Sequence, residues 1–187
     1  MKRFLGMLLT VGFLAASSAG WADNYTDTIK LFKNAGESKT FFANSYGYAV
    51  FPTIGKGGLV VGGAHGSGHV YAKGVYVGDA SMTQVTVGFQ AGGQAYSQII
   101  FFEDKRSFDE FTNGNFEFGA GAQAVVATAA AQGQAGTTGA SAGASASNNE
   151  AATAGNYYKG LATFIVTKGG LIAGVSIGGQ KFSYTRL

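Results

Sequence analysis

The plainest chemistry in this chain belongs to lysines set beside aromatic rings. Lys30, Lys33 and Lys39 recur along one stretch that runs into Phe41 and Phe42. Lys56 stands in a glycine-rich run, GYAVFPTIGKGGLVVGG, from Gly47 to Gly63. An ammonium is a compact point charge that suits a phosphate. Several such charges beside apolar side chains suit the surface of an anionic lipid layer. Lys30, Lys33, Lys39, Lys56, Phe41 and Phe42 are therefore the candidate lipid-contacting residues. The plainer alternative is a solvated helix face and a solvated turn.

Other chemistry finds no constellation. His65 and His69 stand four apart, a spacing that aligns metal ligands only on a helix, and Gly66 and Gly68 argue against one; no metal is expected. Ser67 has no acid partner and no nucleophile elbow. Gly55-Lys56-Gly57 lacks the earlier glycine and the following Ser or Thr of a phosphate-binding loop. Glu103 and Asp104 sit beside Lys105 in a turn, as solvated loop residues do. The chain has no cysteine, which excludes disulfides, thiol nucleophiles and zinc–thiolate sites. No catalytic residue, no cofactor and no enzymatic activity are expected.

Composition narrows the rest. The 187 residues suit one domain, and 31 glycines with a single proline, beside 15 Phe and 9 Tyr, point to sheets joined by tight turns around a sizeable core. Residues 1–22 read as an export leader: Lys2 and Arg3, an apolar core from Phe4 to Ala16 too short to span a bilayer, and small residues before a cut after Ala22. This places the mature chain in the periplasm or cell envelope, peripheral to the membrane. Without the leader's two basic residues the charge falls near +1, which leaves no global field for nucleic acid.

The elements that must position the lysines follow from periodicity. Thr26 to Asn44 reads as a helix, with Ile29, Phe32 and Ala35 at helical spacing and a break near Gly36. Gly47 to Gly63 reads as strand, turn, strand: Pro52 closes the first strand and Lys56 tips a Gly55–Gly58 turn. Ala64 to His69 reads as a turn and Val70 to Val77 as a strand. Ser81 to Ala91 places Val85, Val87, Phe89 and Ala91 on one face, and after Gly92-Gly93 it pairs with Gln94 to Phe102 as a hairpin. Ser107 caps a short helical turn. Asn115 to Ala127 begins as a strand, and the tract at about 129–155 lacks bulky apolar residues and is expected to be a flexible loop. Strands resume at Tyr157 to Thr167, Gly170 to Ile177 and Lys181 to Thr185. The sum is a mainly β (α+β) fold: an antiparallel glycine-rich barrel or two-layer sandwich of about eight strands, preceded by an N-terminal helix.

The blocks GYAVFPTIGKGGLVVGGAHGSGHVY, VTVGFQAGGQAYSQIIFF, GNFEFGAGA and KGGLIAGVSIGGQKFSY, in this order, resemble the SYLF domain family, and cover Phe41 to Tyr184. The chain looks like an exported bacterial-type member, with one SYLF-like domain over 23–187. The resemblance implies a mostly β domain preceded by helix, and binding of phosphoinositide-like and other anionic lipids; eukaryotic members also bind and bundle actin. The family's N-terminal amphipathic segment corresponds roughly to Thr26–Phe42. Two alternatives stand beside peripheral lipid binding: an integral outer-membrane barrel, and an envelope scaffold of actin-binding-type ancestry whose protein partner the sequence does not name.

Overall fold

The computed structural model describes residues 19–35, 38–58, 61–87, 94–126, 157–168 and 176–187. Most of the expected leader, the 129–155 tract, Gly36, the Gly92-Gly93 turn and most of the Gly170–Ile177 strand lie outside these residues. In chain order the elements are α1 (Ala19–Asn34), α2 (Lys39–Asn44), β1 (Gly47–Gly58), β2 (Val61–Ala72), β3 (Val75–Val87), β4 (Gln94–Phe102), α3 (Lys105–Thr112), β5 (Phe116–Glu117), β6 (Val125–Val126), β7 (Leu161–Thr167) and β8 (Lys181–Arg186). The strands form one sheet in the order β5-β8-β3-β2-β1-β4-β7-β6. Every neighbouring pair is antiparallel except β6 and β7. The mainly β expectation is met by a single curled half-barrel, not by two stacked layers.

Chain length forces the curl. Laid flat, eight strands would set the two edges roughly 33 Å apart. Eight Cα steps from Glu117 to Val125 reach at most about 29 Å, and a turn, Ala122 N–H to Gly119 O, shortens them further. Residues 176–180 then run beside 118–123: Ile177 N–H donates to Ala122 O, Gly179 N–H to Phe118 O and Phe118 N–H to Gln180 O.

Strand alternation divides the sheet into two apolar faces. Inside the curl, Phe51, Ile54, Met82, Ile100, Phe102 and Phe182 are buried with Phe111 of α3. On the outer face Val50, Ile99, Phe101 and Phe164 are covered by Tyr25, Phe32 and Ala35 of α1 and Phe41 of α2. Rings filling the curl are the reverse of a membrane-spanning barrel, whose apolar side chains point outward.

Several local expectations are corrected. Pro52 does not end β1. It sits buried at a bulge, where three steps of β1 oppose two of β2 and two of β4, and its carbonyl accepts from Ser97 Oγ at 2.7 Å. Lys56 consequently lies within β1, not at a turn tip, since pairing continues to Gly58 opposite Gly62. Ala64 to His69 is strand, not turn. Gly66 and Gly68 serve close approach: a Cβ on Gly66 would come within 2.6 Å of Ile54 Cγ1, and one on Gly68 within 2.6 Å of the Phe51 ring. The turn is Lys73-Gly74, both at positive φ (49° and 80°), the two-residue hairpin form.

β3 does not pair with β4; it lies between β2 and β8, and β4 crosses to β1 and β7. Its buried face carries Ala80, Met82 and Gln84, while Val85 is 76% exposed. A glutamine can face inward because Gln84 Nε2 donates to the carbonyls of Ser176 and Gly178. The cap of α3 is Asp104, whose carboxylate accepts from Ser107 N–H at 2.8 Å; Ser107 completes the box from within the helix.

One polar cluster crosses the curl. Gln98 and Gln180 exchange amide hydrogen bonds at 2.9 and 3.1 Å, and Gln180 Nε2 also donates to Tyr96 Oη at 3.1 Å. All three residues are buried. The bonds tie β4 to the residue before β8 and hold the rolled shape. Burial pushes the Tyr96 phenol up to about 12.

Candidate lipid-contacting face

The break expected near Gly36 separates α1 from α2, and Ser38 closes the corner. Its buried hydroxyl, with one proton to give, donates to Phe32 O at 2.5 Å and has Ala35 O at 3.2 Å as the alternative acceptor, supplying a partner where a helix end leaves carbonyls open. This turn sets Lys33 of α1 beside Phe42 of α2. Lys30, Lys33 and Lys39 are all exposed. Lys30 Nζ stands 3.7 Å from Asp27, a solvent-screened pair of little energetic weight. Lys33 Nζ sits 5.4 Å from the centre of the Phe42 ring, in cation–π geometry. Lys39 makes no salt bridge among the described residues.

The two phenylalanines part company. Phe41 is 5% exposed, wedged among Phe101, Tyr157 and Phe164, so its ring docks α2 on the sheet. Phe42 is half-buried and meets Tyr48 and Phe101 edge-on. Lys56 lies apart from the helix lysines. Its register partner is Ala64, which belongs to the inner core, so it occupies the opposite face of the sheet. It also stands six residues beyond Val50, roughly 20 Å along the strand. The structure thus joins Lys33 to Phe42, leaves Lys30 and Lys39 exposed on α1 and α2, buries Phe41 and sets Lys56 on the other face of the sheet.

Sequence reasoning missed what extends this face. From Phe42 the rings continue to Tyr48, stacked on its cross-strand partner Tyr71 at 4.9 Å, and then to Tyr76, His69 and Tyr25. Tyr25 lies flat on His69, ring centres 3.5 Å apart. Asp79 accepts from Tyr76 Oη at 2.7 Å and faces His69 Nε2 at 3.4 Å. Lys73, at the hairpin turn, is not part of this ladder: its ammonium lies 5.5 Å from the Tyr46 ring, which packs on Phe108 of α3 beside the inner core. The signal was present: a Lys-Gly turn between Tyr71 and Tyr76 sets both rings on adjoining strands. Burial, then the neighbouring Tyr71, pushes the Tyr48 phenol up to about 12. Burial lowers the His69 imidazole below its ordinary value, with Asp79 opposing. Tyrosines with an apolar body and a wet edge, flanked by lysines, are the pattern of an interface between oil and water. His65 and His69 both face outward on β2, roughly 13 Å apart, too far to share a metal ion.

The comparisons with known proteins extend over the same chain. It is 28% identical over 166 residues to beta cell expansion factor A of Aeromonas veronii, with 84% of this chain and 52% of that protein covered; the chain spans about half the length of this relative. The profile described as Las17-binding protein actin regulator matches residues 83–186, from the middle of β3 to the end of β8. That match covers more than half of the sequence, and the chain belongs to this family, the SYLF domain family.

Proposed function

We propose that the chain is an exported lipid-binding module that attaches peripherally to anionic membrane surfaces through the α1–α2 face. The observation that carries this reading is Lys33 over half-buried Phe42, which continues into the Tyr48–Tyr71 stack, with Lys30 and Lys39 exposed on the same two helices. Each lysine near an anionic surface contributes about 1 kcal/mol, and the contribution falls as salt rises. Three such contacts suit reversible attachment. The tyrosine edges would lie at headgroup depth, with Phe42 and the lysine stems reaching toward the acyl boundary. Lys56, on the far face, takes no part in this contact. Family membership supports a lipid-binding or actin-regulator type of role.

The test is flotation with vesicles of phosphatidylglycerol and of phosphatidylcholine at low and high salt. Binding confined to the anionic vesicles and lost at high salt, and lost again in the Lys30→Gln/Lys33→Gln/Lys39→Gln variant, supports the reading. Equal binding to both vesicle types removes the electrostatic mechanism.

A further inference from the structure

The rolled sheet leaves a slot where its two edges approach. It has a volume of about 500 Å³, within the roughly 300–1,000 Å³ range of small-molecule sites. One wall is Phe116 and Phe118 with the 119–123 turn; the other is Leu161 and Thr163 of β7; Ile177 closes the base. Phe118 and Ile177 belong to the buried inner core, so the slot opens directly onto apolar packing.

The rim charges are unequal. Glu110 is bonded to Arg106 at 2.9 Å, and Glu117 stands 3.7 Å from Lys181. Lys159 forms no salt bridge among the described residues. It precedes β7 in a left-handed conformation (φ 51°), with its ammonium 5.2 Å from the centre of the Tyr158 ring. An apolar trench whose lip carries, among the described residues, one cation without a salt bridge complements one kind of molecule: an unbranched hydrocarbon ending in an anion.

The geometry points to a binding site for one long-chain carboxylate, its chain in the slot and its head at Lys159. This site is on the opposite side of the sheet from the α1–α2 face and does not depend on vesicle docking. Phe116, Phe118 and Leu161 would cover the chain, and Lys159 would fix the direction in which it enters.

Calorimetric titration of the full chain with laurate, decanoate and dodecanol tests the assignment. The expected result is one laurate per chain, with decanoate weaker by roughly tenfold for its two missing methylenes and dodecanol weaker than laurate. Lys159→Gln should weaken laurate at least threefold and erase its advantage over dodecanol. Ala122→Phe and Thr163→Phe fill the slot from different walls, so either one that keeps its circular dichroism spectrum decides, and it should abolish binding. No saturable laurate binding, or binding that survives a folded slot-filling variant, overturns the proposal. Laurate binding that Lys159→Gln leaves unchanged overturns the headgroup assignment. The triple lysine variant should still bind laurate, so failure of vesicle docking and failure of the slot are read separately.

Discussion

The two faces of β1 and β2 use aromatic residues in opposite ways. On the inner face Phe51 is fully buried because Gly68, across the strand, gives its ring bare backbone to lie against. On the outer face Tyr48 meets Tyr71 instead of a glycine, and the stacked rings stay half-buried. Aromatic content alone does not separate a core from a contact surface. The residue opposite does: glycine lets the ring sink, and a second ring holds it up.

Substitutions can break or sharpen this contrast. Phe51→Ala should cost about 3–5 kcal/mol by urea unfolding, as large aromatic truncations in cores do. Tyr71→Ala, which empties only part of a wet face, should cost less than half as much; equal losses would erase the distinction. Gln180→Leu comes next. It strands Gln98 and the Tyr96 hydroxyl without their partner in a dry interior, at about 1–3 kcal/mol. Adding Gln98→Leu should then cost less than the sum of the two single changes, because the pair is coupled. Lys33→Ala should cost only about 0.5 kcal/mol, the scale of an exposed cation–π contact.

The His69 effect is smaller again and depends on pH. The folded protein holds this imidazole below its ordinary value, chiefly by burial. The unfolded chain therefore binds the proton more readily. His69's contribution is full above about pH 6.5, the unfolded value, and drains away as pH falls through the folded value. Unfolding curves from pH 8 to 5 should show His69→Gln with a flatter dependence than the parent. A parent that gains stability relative to the variant as pH falls would mean that Asp79 outweighs burial.

Much of the scaffold was readable in the sequence because it is local. The apolar spacing of Ile29, Phe32 and Ala35 marks α1, and Gly36 marks the break before α2. What was missed is non-local or carried by glycine. The short spacing between Ser81–Ala91 and Gln94–Phe102 suggests a hairpin, yet β4 finds β1, because a sheet that must curl can seat later strands on both edges of the β1–β2 pair. Alternation separates the two faces of β3 but does not say which points inward: that face carries Met82 and Gln84, not the more apolar-looking Val85. Only the carbonyls of Ser176 and Gly178, far along the chain, make an inward glutamine acceptable. Gly66 and Gly68 read as turn residues because glycine serves bends and close approaches alike, and the ring that needs the space lies on another strand. Of the candidate lipid contacts, the helix lysines and Phe42 could be grouped from spacing. The bulge at Pro52, which sends Lys56 to the other face, could not.

The most direct test of the proposed function is flotation of the parent and the Lys30→Gln/Lys33→Gln/Lys39→Gln variant with phosphatidylglycerol vesicles at low salt, alongside urea unfolding of both. These exposed changes should leave stability within about 0.5 kcal/mol, while the variant stays at the bottom of the gradient and the parent rises. A variant that floats as well as the parent would contradict docking through α1 and α2.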